Sequence, residues 1–356
     1  MTTRPAAAHA GEGTVATPDI AGMLARAGAP WLAPVRERLA SMRDAGKLPH
    51  ALLLLGQEGA GQSELAIWLA ARLLCERAGA SACGSCGDCR LTLAGTHPDF
   101  QFVGISPDTT AIRIDQIRAL SEVLSFRSYR GRSKVAVIDP ADAMNINSFN
   151  ALLKTLEEPT DNTFLVLAAT RSDRLPATVV SRCARVRLPL PPASEALDWL
   201  SRTDPQKRWE CLLPLAGGAP FLAVSYADAG LEELDAQMQA ALDSARQGRF
   251  DVIANAAAWA ADQPQARLFW LEAWLTSRLR EAALPSDAVN NNRLPWLRAA
   301  GGDPMIRAGY RLLDALREAR QLVGGSLNTQ LMFEGLLVSL GGLLGGGVDK
   351  RRESVD

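Results

Sequence analysis

Residues 51–74 read ALLLLGQEGAGQSELAIWLAARLL, and the glycines in their middle limit the fold more than any other part of the chain. A leucine run suited to a strand buried on both faces enters them, and helical spacing of Leu65, Trp68, Leu69, Arg72 and Leu73 leaves them. Strand, tight loop and helix in that order is the unit of a parallel sheet, because the chain must cross over a helix before it returns alongside its first strand. The loop follows the phosphate-binding pattern G-x-x-x-x-G-K-[ST] at Gly56, Gly61 and Ser63, but Gln62 stands at the lysine position. Taken alone, a plain glycine turn between a strand and a helix reads the same way.

In a working loop, backbone N–H groups cradle phosphates, the lysine pairs their outer oxygens and the serine hydroxyl sits on magnesium. Gln62 can donate a hydrogen bond but brings no charge. A charge-assisted bond contributes ~1.5–3 kcal/mol against ~0.5–1.5 for a neutral one. Nucleotide binding therefore weakens, and hydrolysis, which relies on charge neutralisation, suffers more. Two further strand patterns, 134–139 and 163–170, end in Asp139 and Thr170. Ligands in such sheets lie outside the carboxyl ends of strands, which places both residues beside the loop. An NTPase of this build carries an acidic pair after the second strand, whereas Asp139 is followed by Pro140, which can act as neither acid nor base. The reading is a degenerate nucleotide site of Gly56, Gly61, Gln62, Ser63, Asp139 and Thr170, with no functional ATP or magnesium expected.

Between those strands, Phe149, Leu152, Leu153 and Leu156 share a helical face that Pro159 ends. Cys75, Cys83, Cys86 and Cys89 form C-x7-C-x2-C-x2-C, whose short steps let four thiolates converge on one tetrahedral zinc. Four thiolates leave zinc no open position, so the expected metal is structural. Ser181-Arg182-Cys183 follows the third strand and precedes the prolines at 189–192. A solvated surface charge explains a lone arginine, but an arginine at a domain edge can also reach a neighbouring subunit's nucleotide and stabilise its transition state in trans.

Charge argues for no particular partner, since 38 basic residues face 39 acidic ones. The opening 24 residues are rich in Ala, Gly and Thr without an apolar core, and read as a disordered tail and not a signal peptide. The longest apolar run, LLVSLGGLLGGGV, is broken by glycines and falls short of the ~18 residues of a membrane span. A cytoplasmic location with no membrane partner is expected, where clustered cysteines bind metal more often than they form disulfides.

NALLKTLEEP, SRC, the phosphate-loop position and the cysteine knuckle followed by GTHPD together resemble the bacterial sliding-clamp loaders, a branch of the AAA+ ATPases. The resemblance covers nearly the whole chain after the tail, from PWLAPVRERLASMRDAGKLPHALLLLG to LNTQLMFEGLLVSL, which is similar to the family's last collar helix. It implies an α/β plus all-α chain: a tail at 1–24, an AAA+ P-loop-type parallel-sheet domain at 25–189 with a zinc module at 75–89, a small helical lid at 190–231, and a helical collar at 232–350 that assembles into a ring. It also implies gamma/tau and delta subunits as partners, with primer–template DNA and the sliding clamp met through the complex. Arg182 is then an arginine finger for an adjacent gamma/tau site, and Arg118 and Lys154 match positions that face DNA in gamma-type subunits, although both also read as solvated helix charges. The degenerate loop sets the chain apart from gamma/tau subunits, which keep the lysine and the acidic pair. Two rival readings stay open: a gamma/tau-like subunit with weak ATPase activity of its own, and a zinc-dependent nucleic-acid-binding module outside replication, which the near-neutral charge disfavours.

Overall fold

The computed structural model describes residues 18–77, 79–106, 109–283, 303–323 and 328–344. The chain divides into two units between Pro191 and Pro192. Residues 1–17 of the expected tail lie outside the described residues, and its end differs from expectation: α1, Ile20–Arg26, is helical and capped by the Asp19 carboxylate.

The first unit is a five-stranded parallel sheet flanked by helices. Its strands are β1 (Ala51–Leu55), β2 (Phe100–Val103), β3 (Lys134–Ile138), β4 (Thr163–Ala169) and β5 (Ala184–Arg187), in the order β2-β3-β4-β1-β5. Sequence patterning marks only β1, β3 and β4, whose side chains are almost all buried. The two strands it misses are the edges. Four residues long and covered less completely, β5 alternates two arginines with one buried valine and β2 buries only its ends, so neither forms a continuous apolar run. The connecting helices are α2 (Ala33–Asp44), α3 (Gln62–Leu74), α4 (Gly87–Leu93), α5 (Ile114–Ser125), α6 (Ile146–Glu157) and α7 (Ala177–Val180). On one face α5 and α6 close over β1, β3 and β4 around Ile117, Leu120, Phe149, Leu152 and Leu156. On α3 every residue but Ser63 is buried, Arg72 included.

The second unit is helical among its described residues: α8 (Ala193–Thr203), α9 (Trp209–Leu215), α10 (Pro220–Asp228), α11 (Leu231–Arg246), α12 (Val252–Ala261), α13 (Pro264–Ala283), α14 (Asp303–Leu322) and α15 (Thr329–Leu343). These helices share one core, in which Trp270, Trp274 and Phe333 are fully buried and Trp270 Nε1 donates to Asp235 Oδ1 at 3.0 Å. The Leu268, Leu271, Leu275 and Phe333, Leu336, Leu337, Leu340 stripes both face it. Among the described residues no single helix is long and apolar enough to cross a membrane, and the bent pair α9–α10 has that composition because it is buried here.

Candidate functional site

At the carboxyl end of β1 the chain enters the glycine loop, and Gly59 and Gly61 take the left-handed conformations (φ 76° and 117°) that let it turn back into α3. Gln62 opens α3 and is buried. Its Nε2 donates to the Gly56 carbonyl at 2.7 Å, so the side chain at the lysine position folds back onto the first residue of its own loop. A Cβ at Gly56 would sit 3.1 Å from Gln62 Cδ and 3.3 Å from Leu188 Cβ, so a side chain there would crowd the folded-back Gln62. From the amino-terminal segment, Trp31 Nε1 donates to the Ala60 carbonyl at 3.0 Å and Arg26 pairs with the buried Glu64 at 3.0 Å. The loop is thus fastened by its own chain at both ends.

Asp139 lies at the carboxyl end of β3 and accepts a hydrogen bond from Ser63. Desolvation pushes its carboxyl up to about 6 against that bond, and the charges of Glu64 and Asp142 add to the rise. Asp142, in the 3-10 turn Ala141–Ala143, is a carboxylate that the sequence reading missed: the turn after Pro140 brings it back towards Asp139. It is not free for chemistry. Its oxygens accept from the Thr170 hydroxyl at 2.9 Å and from the backbone N–H groups of Thr170 and Arg171 at 3.4 and 3.0 Å. Thr170 therefore stands at the rim, exposed and tied to Asp142, while Gly56 N–H donates to the Ala169 carbonyl beside it.

A raised carboxyl destabilises the fold from its unfolded value upward, fully so above its folded value. Below its ordinary value of 3.8 the Asp139 carboxyl is protonated in both states; between 3.8 and about 6 the unfolded chain releases the proton first, so stability falls as pH rises; above about 6 the full penalty remains. At ~1.4 kcal/mol per pH unit the ceiling is ~3 kcal/mol. Asp139→Asn, which can still accept from Ser63, should therefore raise unfolding stability at pH 8, with the gain shrinking towards pH 4. Urea denaturation at the two pH values checks this, and an equal effect at both would refute the assignment.

The four cysteines come together. Their sulfurs lie within 4.8 Å of one another, with Cys75–Cys86 and Cys83–Cys89 each at 3.9 Å. A tetrahedral ion with ~2.3 Å bonds to sulfur requires edges of ~3.8 Å. Backbone N–H groups of Arg77 and Cys83 point at Cys75 Sγ, that of Cys86 at Cys83 Sγ and that of Cys89 at Cys86 Sγ, at 3.3–3.4 Å. Such donors favour thiolates: those from Ser85 and Cys86 hold the exposed Cys83 down to about 5, whereas burial pushes Cys89 up. Four thiolates this close repel one another unless a cation sits among them, so the cluster can hold a metal ion. The module is also fastened to the sheet. Buried Asp88, between two of the cysteines, accepts from Arg130 Nε at 2.7 Å and lies 3.4 Å from His97 Nε2, and His97 Nδ1 accepts from the Asp99 N–H at 3.1 Å. Asp99 in turn binds Ser128 Oγ and the N–H groups of Tyr129 and Arg130. The THPD tetrapeptide is therefore a clasp between the cysteine module and the start of β2.

Arg182 follows α7 and is not part of the glycine-loop cluster. Its guanidinium is about one-third exposed, pairs with Glu157 Oε1 at the end of α6 at 2.5 Å, and donates to the Thr178 carbonyl at 2.9 Å. Arg118 and Lys154 are exposed on α5 and α6, which Ser121 Oγ and Thr155 Oγ1 join at 3.0 Å, so both charges belong to one two-helix layer. The contacts of Trp31, Arg26 and Glu157 also went unread in the sequence, because each pairs residues far apart along the chain.

Comparison with known proteins follows the same outline. Residues 32–192 match the family model described as DNA polymerase III, delta subunit. The DNA polymerase III subunit delta' of Pseudomonas aeruginosa is 36% identical over 310 residues, covering 84% of this chain and 93% of that protein. That of Escherichia coli is 35% identical over 255 residues, covering 70% of this chain and 76% of its own length. The Escherichia coli subunit tau is 36% identical over a shorter stretch of 151 residues, 42% of this chain and 23% of tau.

Proposed function

Given that this chain belongs to the DNA polymerase III delta-prime family, we propose that it is a clamp-loader subunit that supports ATP turnover without performing it. In this reading an AAA+ sheet domain, a helical lid at 190–231 and a helical collar at 232–350 assemble in the cytoplasm with gamma/tau and delta subunits, and the complex loads the sliding clamp onto primed DNA. One contact carries the proposal: Gln62, where a phosphate loop needs a cation, brings no charge and folds back to donate to the Gly56 carbonyl. With Pro140 in place of an acid and Asp142 hydrogen-bonded to Thr170, the position after Asp139 supplies no carboxylate to activate water. Arg182, exposed at the end of α7, would instead reach the ATP of an adjacent gamma/tau subunit once it leaves Glu157. Arg118 and Lys154 would face the primer–template duplex as phosphate contacts. One structural zinc on Cys75, Cys83, Cys86 and Cys89 would close the module at 75–89, its second coordination shell being the N–H donors around the sulfurs.

A second reading has one observation in its favour. The Ser63–Asp139 hydrogen bond keeps together the two side chains that a magnesium nucleotide would use, which favours residual binding and a weak ATPase of the gamma/tau kind. The isolated chain separates the two. It should co-purify with gamma/tau and delta subunits, show no ATP hydrolysis above background when alone, and stay silent as Gln62→Lys, because the added cation still lacks a water-activating partner. Turnover by the isolated wild-type chain, or by that single variant, would favour the second reading and overturn the first.

A further inference from the structure

Away from the glycine loop, an open polar cavity of about 440 Å³ lies beside the amino-terminal ends of β3 and β4. It is lined by Arg43 and Asp44 from the end of α2, Arg72 and Glu76 from the end of α3 and just beyond it, and Arg132 and Ser133 just before β3. Three guanidiniums therefore share it with two carboxylates, and both carboxylates are engaged: Asp44 accepts from Arg72 Nη2 at 2.6 Å, and Glu76 pairs with Arg130 at 3.4 Å. Among the described residues neither Arg43 nor Arg132 meets a carboxylate. Arg43 lies over the Phe164 ring, 5.7 Å from its centroid, and Arg132 Nη1 donates weakly to the Glu76 carbonyl at 3.4 Å.

Arg72 supplies an independent observation. Its side chain is 2% exposed, yet its counter-ion Asp44 is 67% exposed and solvated, and its buried Nε has no hydrogen-bond partner. Burying a guanidinium is costly, and a buried donor without an acceptor is rare enough to demand an explanation. A volume of this size falls within the range of small-ligand sites. Guanidinium forks match the oxygens of phosphate and carboxylate, and three of them around one polar space exceed its two carboxylates, one of which already pairs with Arg130 outside it.

We propose that this cavity is an anion site for a ligand with two successive phosphate groups, held by Arg43 and Arg132, with the buried charge of Arg72 behind them. The phosphates come either from a free diphosphate or from the backbone of a nucleic-acid strand. Binding here needs neither the glycine loop nor a partner subunit, so it stands or falls separately from the clamp-loading role.

The test uses the full-length chain and inorganic pyrophosphate without magnesium, followed by calorimetry at low ionic strength. One-to-one saturable binding is expected, weakened about ten-fold or more by the double substitution Arg43→Gln and Arg132→Gln, each lost charge-assisted bond contributing on that scale. Neither residue is deeply buried, and an unchanged thermal midpoint will establish that the variant folds. No saturable binding, or binding that the double variant leaves intact because it occurs at the glycine loop, would overturn the proposal. A labelled single-stranded oligonucleotide separates the two sources. Displacement by pyrophosphate, with affinity lost in the double variant, identifies a strand; oligonucleotide affinity unchanged by the substitutions, while pyrophosphate still binds, identifies a free diphosphate.

Discussion

Arg182→Ala is expected to leave this chain folded and the reconstituted complex assembled, while the ATP site it serves loses about a thousand-fold in turnover, the lower end of what an arginine finger contributes. The side chain is about one-third exposed and its contacts, with Glu157, the Thr178 carbonyl and Ser181 Oγ, lie at the surface, so its removal costs little stability. The measurement is DNA-stimulated ATP hydrolysis by the complete complex, with assembly checked by gel filtration. Arg182→Lys should fail almost as badly, since a point charge does not reproduce a planar fork. Glu157→Gln, which releases the guanidinium without deleting it, should keep turnover and so separates loss of the finger from loss of the ion pair. Unchanged turnover in Arg182→Ala removes the trans role.

The second large effect is expected at the cysteine module. Wild-type protein purified without chelator should carry one equivalent of zinc by elemental analysis, and Cys86→Ser should carry almost none. Cys86 is buried, stands 3.9 Å from Cys75 Sγ and caps α4 by accepting from the Cys89 N–H, a role that serine can keep, so the substitution removes a ligand without removing the helix start. Structural zinc contributes ~10–16 kcal/mol in isolated finger peptides. The cost here should be smaller but still several kcal/mol, because Asp88 remains bonded to Arg130 and His97 still joins the module to β2. Hydrogen exchange should show protection lost over 75–93 while β1, β3 and β4 keep theirs. Metal-free wild-type protein with an ordered module would rule the zinc out.

Local patterns carried much of this. A leucine run, a glycine loop and a helical stripe specify a strand–loop–helix unit because burial on two faces and on one face leave different periodicities. Cysteine steps of C-x2-C likewise confine ligands that a few residues hold in one place. The edges of the sheet were not readable: β5 exposes its arginines and β2 is too short to leave a periodic signal. Nor was Asp142, since only the turn after Pro140 returns it to the site, where Thr170 occupies it.

By itself the sequence determined that a parallel sheet would form around a phosphate-type loop lacking its cation, and that four thiols would meet. Only the tertiary structure decided what became of the groups so placed: Gln62 closed on Gly56, Asp142 bound to Thr170, Arg182 held by Glu157, and Arg72 buried beside a polar cavity. The division has a physical cause. Periodicity and short spacings act through the local backbone, whereas pairing between distant side chains is settled by close packing, which leaves each buried polar group only the partners that the fold brings within reach.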